Sequence, residues 1–300
     1  MGGGRYHASP EGPGAVEEGS GRVVGRPEVL RALPDLGGVW AAAAARFPVQ
    51  LTRSWWARMN GAADGPLARQ ALPDARELQV GAGDLADPVG DGSCSPMPWV
   101  VHKYPSRVLL LATKRCHLYC RYCFRRDHDP TGRQDPTPAE LDAAFAYIAR
   151  VRPTEVLLSG GDPLAVPDAR LFDLVDRAHA SAPVVRIHTR APITAPWRVT
   201  PELVQGLAAR RPVWVVVHCN HPDELDAEVD GALARLVDAG LPVLNQSVLL
   251  AGVNDRVEVL ERLCTGLVER GVFPYYLHHP DAASGTSHFR LPRERGLALH

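Results

Sequence analysis

RVLLLATKRCHLYCRYCFRR, residues 107–126, runs an apolar stretch straight into three cysteines. The stretch is short and bounded by a polar turn, as a buried strand would be. Cys116, Cys120 and Cys123 follow it in C-x3-C-x2-C spacing, all inside eight residues. A loop that compact can point three thiolates at one centre. A cubane [4Fe–4S] cluster takes four ligands, so three cysteines would leave one iron open to an outside ligand. A Cys3His zinc site recruiting His117 or His128 is an alternative, and unligated core thiols are another. Against zinc, the loop opens a strand–helix repeat instead of a small metal-stapled fold. Cys94, Cys219 and Cys264 have no such spacing and read as ordinary thiols.

Downstream the pattern repeats. Apolar, β-branched runs recur at 155–158, 184–189, 213–218, 242–249 and 273–277, separated by helix-like segments at about 137–150, 168–180, 200–210, 223–239 and 255–270. Thr137-Pro138, Thr200-Pro201-Glu202 and Pro222-Asp223-Glu224 are helix-start signals. Gly240 and Gly271 stand where two of the helices should stop. With 107–113, six strands alternate with helices, which predicts an α/β fold of parallel βαβ units. Right-handed crossovers would curl them into a doubly wound sheet or part of a barrel. Distinctive polar residues follow nearly every strand, which favours a partial (β/α)6 barrel with its chemistry at the strands' C-terminal ends.

Upstream, residues 1–35 are rich in Gly, Pro and Glu and are expected to begin disordered before a short helix. Residues 36–105 read as a helical extension (an Ala-rich stretch from Trp40 to Phe47, LTRSWWARM at 51–59, a Pro-punctuated segment around Leu67–Leu72), with 81–105 as a polar loop. The barrel is expected over 106–290, and 291–300 reads as the start of a truncated C-terminal segment. The N-terminus has no apolar signal core and no run approaches a membrane span. A formal charge of −1 gives no electrostatic reason to expect nucleic acid or an anionic membrane. Six cysteines, three of them clustered, point to metal or redox chemistry in a cytoplasmic protein.

HKYPSRVLLLATKRCHLYCRYCFRR, LLSGGDPL, RIHTRAPIT, VHCNHPDE, LNQSVLLAGVND and PYYLHHPDAASGTSHFRLP together resemble, in order, segments of the lysine 2,3-aminomutase family within the radical S-adenosylmethionine superfamily. The resemblance runs from about Phe47 to the C-terminus. It implies a [4Fe–4S] cluster on Cys116, Cys120 and Cys123 whose open iron chelates S-adenosylmethionine, and an electron donor that triggers its cleavage to a 5′-deoxyadenosyl radical. It further implies pyridoxal 5′-phosphate, an amino-acid substrate (most simply L-lysine, isomerised to β-lysine) and a homo-oligomer. CRYCFRR and RIHTRAPI resemble the bacterial branch whose β-lysine is attached to elongation factor P.

Residue by residue, the resemblance sets Tyr122 near the adenine, and Ser159, Gly160, Gly161 and Asp162 where backbone receives the methionine amino group. Glycines there would permit close backbone approach, although GGDP is equally compatible with a plain turn. Gln246 resembles a further contact to S-adenosylmethionine. Lys103, Tyr104 and Arg107 resemble the segment that holds pyridoxal phosphate, where cations suit the phosphate; a solvated basic loop is the alternative. His218 resembles a histidine of the same pocket, or is a satisfied core residue. Arg125 resembles the arginine that clamps the substrate carboxylate through a planar fork, with Arg126 as its alternative. Asp281 resembles the carboxylate for the distal amino group, or is a turn residue. One departure stands out: the family's Schiff-base lysine, in a Gly/Ser-rich segment after HFR, has no counterpart, because no lysine follows Lys114.

Overall fold

The computed structural model describes residues 22–127 and 133–300; His128 and residues 1–21 lie outside them. Ahead of the main sheet, β1 (Val23–Val24) precedes α1 (Arg26–Ala32) and α2 (Gly37–Arg46), and then pairs antiparallel with β2 (Leu51–Thr52). Helix α3 (Arg53–Met59) follows at once, capped by the Thr52 hydroxyl, which accepts from Trp55 N. Helix α4 (Pro66–Ala71) starts on a proline whose missing N–H costs nothing there. Trp55 is fully buried and donates its indole N–H to Leu67 O at 3.2 Å, tying α3 to α4. Residues 23–32, expected within the tail, are therefore a strand and a helix.

The main sheet begins with β3 (Val100–Tyr104), an antiparallel partner of β4 (Arg107–Thr113) across a tight turn. This corrects the expected loop over 81–105, whose last residues are strand. From β4 onward the chain alternates: α5 (Pro138–Val151), β5 (Glu155–Gly160), α6 (Asp168–His179), β6 (Val184–Thr189), the single turn α7 (Ala191–Thr194), α8 (Pro201–Ala208), β7 (Val213–His218), α9 (Ala227–Asp238), β8 (Val243–Val248), α10 (Val257–Glu269), β9 (Phe273–His278) and finally α11 (Arg293–Leu299).

Strands lie in the order β3-β4-β5-β6-β7-β8-β9, and every pair from β4 to β9 is parallel. A doubly wound sheet would reverse direction after its first strands; this one does not. Each right-handed crossover then leaves its helix on the same face, and the sheet curls into a partial barrel. The six parallel strands fall where the sequence predicts them.

Local chemistry explains the helix ends. Thr137 and Glu140 form a reciprocal capping box on α5. The expected start of α9 at Pro222 is a 3-10 turn instead, and Asp226 caps the true helix by accepting from Val229 N. Gly240 and Gly271 take φ of +70° just past α9 and α10, the left-handed stop that glycine tolerates. Helix α6 buries Leu171, Leu174, Val175 and Ala178 against the sheet at helical spacing. Each such leucine contributes roughly 1.5–3 kcal/mol. Among the described residues, no helix is long and apolar enough to cross a membrane.

Candidate active site

The cysteine loop leaves the C-terminal end of β4 and is held from outside by the N-terminal extension. Gln50 Nε2 donates to the carbonyls of Cys116 (2.9 Å) and His117 (3.0 Å), and Arg121 N donates to Gln70 O at 2.8 Å. Arg121 itself is fully buried, its guanidinium bonded to Glu77 and to Pro48 O. Arg126 joins the same carboxylate at 2.8 Å and also donates to Arg121 O and Gly285 O. One buried anion, Glu77, thus binds two arginines of the loop to the extension. Burial disfavours its charged form, but Arg121 and Arg126 outweigh that and hold its pKa below the ordinary value.

Within this brace the three thiols lie in one another's electrostatic field. Burial pushes Cys123 up to about 11, with Cys120 adding to it, and raises Cys116 well above the ordinary thiol, reinforced by Asp162 and the other two cysteines. Buried thiols of this kind become thiolates when a metal or cation compensates them. A guanidinium is already present: Arg190, just past β6, donates from Nη1 to Cys120 Sγ at 2.8 Å. Arg190 Nη2 donates to Gln70 Oε1 (2.7 Å) and Glu224 Oε2 (3.0 Å), and its plane lies over the rings of Trp55 and Tyr122. Three half-buried thiols with a cation beside them are a donor set suited to an iron–sulfur cluster. Among the described residues, no three His, Cys, Asp or Glu side chains are gathered as ligands of a single metal ion. His117, a zinc candidate by sequence, is buried, its Nδ1 has no partner among the described residues, and its ring meets Trp197 edge-on.

SGGDP ends β5 against the start of the cysteine loop. Gly160 has φ +127°, and a Cβ on it would lie 2.2 Å from Thr113 O; one on Gly161 would lie 2.3 Å from Arg115 O. Gly161 N and Asp162 N donate to those same carbonyls. The glycines allow a close approach to the protein's own backbone, which seats the end of β5 against the cysteine loop. Asp162 is engaged by the protein itself. Its buried carboxylate accepts from Leu164 N, Thr189 Oγ1 and Arg190 N, so it ties β5 to β6 and positions Arg190. Ser159 sits at the end of β5, in register with Leu111.

Arg125 and Arg126 separate cleanly. Arg126 is buried and committed to the Glu77 brace, so it is not the available fork. Arg125 donates only Nε, to Asp91 Oδ2 at 2.8 Å, and among the described residues both its η nitrogens lack a protein hydrogen bond. Asp91 is 2% exposed, and its other oxygen takes Lys103 Nζ at 2.7 Å. Asp281 lies in the field of His278, Lys103, Asp91 and Arg125, and burial raises its pKa above the ordinary value. Lys103, Arg125 and Asp281 are thus brought into one neighbourhood, organised by Asp91.

Three consecutive strands present His188, His218 and Gln246, with His218 opposite Gln246 in register. His188 Nδ1 meets Gln246 Oε1 at 3.2 Å, and His218 Nε2 meets Tyr122 Oη at 3.4 Å. Burial lowers both imidazoles, His188 to about 4 and His218 well below its ordinary value, so both are neutral. Tyr122 Oη accepts from Asn220 Nδ2 at 2.7 Å, while its ring packs on His218 and Phe289.

Tyr104 and Arg107 are not brought into this neighbourhood. They face each other across the β3–β4 turn, in the first row of the sheet, and Arg107 is paired with Glu155. Six residue steps separate Arg107 from Thr113, roughly 20 Å of strand. Tyr104 is 59% exposed. Four residues of the site escaped the sequence reading: Asp91, Arg190, Glu224 and Gln70. For Arg190 and Glu224 the available signal was position, since each closely follows a strand.

A partial parallel barrel whose first parallel strand empties into a loop of three closely spaced cysteines is the architecture of a radical S-adenosylmethionine protein, and residues 110–264, more than half of the chain, match the radical SAM superfamily. That superfamily works with a [4Fe–4S] cluster and S-adenosylmethionine. Among curated proteins, the chain is 44% identical to the L-lysine 2,3-aminomutase of Clostridium subterminale, over 78% of this chain and 57% of that protein. It is 42% identical to a putative L-lysine 2,3-aminomutase of Treponema pallidum (81% and 69%) and 38% identical to the L-lysine 2,3-aminomutase of Escherichia coli (82% and 72%). The chain belongs to the lysine 2,3-aminomutase family. It spans little more than half the length of several of these relatives, 56% of that of Fusobacterium nucleatum among them.

Proposed function

We propose that this chain provides the radical-generating barrel of an amino-acid 2,3-aminomutase, an isomerase converting L-lysine to β-lysine. The observation that carries the reading is the braced loop of Cys116, Cys120 and Cys123, followed two residues later by Arg125 with an open guanidinium fork. When bound, a [4Fe–4S] cluster on those three thiolates and S-adenosylmethionine on its open iron supply a 5′-deoxyadenosyl radical.

The chain's own residues bind and orient. Arg125 holds the substrate α-carboxylate through its two free η nitrogens, aimed by Asp91. Asp281, its pKa raised by burial, offers a carboxylate whose charge an approaching ammonium would favour, which suits the distal amino group of lysine. Tyr122, His218 and Gln246 line the barrel interior towards the nucleoside, and the neutral imidazoles keep that interior free of competing cations. Ser159 and the backbone at Gly160–Gly161 lie beside the loop, towards the methionine amino group. An external reductant supplies the electron, in a cytoplasmic, oxygen-poor setting, and the assembly is a homo-oligomer as the family resemblance implies.

Pyridoxal phosphate supplies the amino-carrying chemistry in an aminomutase. Lys103, Tyr104, Arg107 and His218 do not form one cradle for it here: Lys103 is spent on Asp91 and Val89 O, Arg107 on Glu155, and His218 lies at the other end of its strand. The same observation favours a second reading, a hydrogen-abstracting radical enzyme without pyridoxal phosphate.

Anaerobic reconstitution with iron and sulfide tests both. The first reading expects a brown protein that releases 5′-deoxyadenosine and forms β-lysine from L-lysine on addition of pyridoxal phosphate. Release of 5′-deoxyadenosine with no β-lysine selects the second. A chain that binds no iron–sulfur cluster ends both.

A further inference from the structure

Arg190 is given no role by the substrate or S-adenosylmethionine reading, yet it makes a direct contact to a cysteine of the loop. Its guanidinium is 7% exposed and fixed on every side. Asp162 holds its backbone N–H at 2.9 Å, Gln70 and Glu224 share Nη2, and Trp55 and Tyr122 lie on its π faces. Glu224 is in turn fully buried and accepts from Gln70 Nε2 (2.9 Å) and Asn220 N (3.1 Å). Asn220 Nδ2 closes the circuit onto Gln70 Oε1. What remains of Arg190 is Nη1, which reaches Cys120 Sγ at 2.8 Å, and Nε, which is buried without a partner among the described residues.

So much structure around one cation is more than a surface ion pair requires. A buried arginine whose counter-ion already satisfies Nη2 gains little for stability by presenting Nη1 to a neutral thiol, which is only a weak acceptor. Presenting it to a thiolate of a cluster is different. An N–H donor and a fixed positive charge both favour the more negative, reduced state of the cluster, and hydrogen bonds to sulfur are among the features that set cluster potentials. The surrounding low dielectric strengthens the effect.

We propose that Arg190 is a positioning residue for the cluster: its N–H to Cys120 Sγ raises the reduction potential, and Glu224 with Gln70 sets how strongly it does so. Gln70 comes from α4, so the N-terminal extension reaches the electronics of the site as well as its backbone. The inference rests on Cys120 being a cluster ligand.

The test is an anaerobic redox titration of the reconstituted chain, followed by electron paramagnetic resonance of the reduced cluster, with iron and sulfide content measured for each variant. Arg190→Met removes donor and charge. It is expected to lower the reduced-to-oxidised ratio at a fixed potential by about tenfold or more, about 59 mV downward for a one-electron couple. Glu224→Gln keeps the guanidinium but removes its compensating anion, and is expected to move the midpoint the other way. Arg190→Lys keeps the charge without the rigid fork, and is expected to fall between wild type and Arg190→Met. Opposite shifts in Arg190→Met and Glu224→Gln support the proposal. Midpoints equal to wild type in variants loaded with wild-type iron overturn it. If Arg190→Met fails to retain iron, Glu224→Gln decides alone, and no upward shift there overturns the proposal. A wild-type chain that takes up no cluster removes the underlying reading; a loaded chain with unmoved midpoints removes only this inference.

Discussion

Arg125 Nε donates to Asp91 Oδ2 at 2.8 Å, and that single contact aims an otherwise open guanidinium. Asp91 can do this because Lys103 neutralises its second oxygen and burial keeps water from competing. Replacing Asp91 by Asn keeps the shape but weakens a charge-assisted hydrogen bond worth about 1.5–3 kcal/mol. The expected result is a rise in KM for L-lysine of roughly tenfold to a hundredfold, with iron content at the wild-type level. An unchanged KM in a fully loaded variant would show that Arg125 is positioned by something else.

Glu77 binds Arg121 and Arg126 with all three side chains essentially buried. Removing one member of such a group leaves the others charged and unpaired, at about 3–5 kcal/mol. Glu77→Gln is therefore expected to lower the free energy of unfolding by that amount in urea titration, and to reduce iron retention because the loop loses its anchor. A loss below about 1 kcal/mol, the scale of exposed pairs, would mean that water reaches this site and the brace is weak.

The parallel strands of the barrel and the three cysteines were legible because their signals are local. Val213–His218 is a run of β-branched residues that hardly reads as anything but a buried strand, and eight residues contain all three thiols. Strand β3 was hidden because VVHKY is short, lies on the sheet edge and follows a Gly- and Asp-rich stretch that announces a loop. The electrostatic frame was hidden for another reason. Arg121 meets Glu77 across 44 residues of sequence and Gln70 meets Glu224 across 154, and no spacing rule reaches that far. The structural role of Asp162 was hidden in the same way, since two of its three protein donors, Thr189 and Arg190, lie on the next strand and just past it.

The two glycines of SGGDP permit a sharp contrast. Gly160→Ala would push a Cβ to 2.2 Å from Thr113 O at a φ of +127°. The backbone strain alone is about 1–3 kcal/mol, and the shift it forces opens the seam between β5 and the cysteine loop. Gly38→Ala, in helix α2 with nothing within 4 Å of the new carbon, should stabilise by about 0.5–1 kcal/mol. Thermal melts of the two variants should therefore move in opposite directions. Equal melting temperatures would mean that the β5 seam yields without cost.

His188 supplies a pH test whose sign follows from burial. The fold lowers its pKa from the ordinary 6.5 to about 4, chiefly by desolvation, with Arg186 adding to it and Gln246 opposing. The folded chain keeps this imidazole neutral while the unfolded chain takes up a proton below about pH 6.5. Its contribution to stability is therefore fully present above that pH. It declines as pH falls towards 4, by up to about 1.4 kcal/mol per pH unit, and does not change further below. His218 adds a slope of its own, so the informative quantity is a difference between two proteins. Urea midpoints measured at pH 7.5 and pH 5 should fall more steeply in the wild-type chain than in His188→Gln, which has no proton to gain. Parallel profiles would show that the His188 ring is open to water in solution.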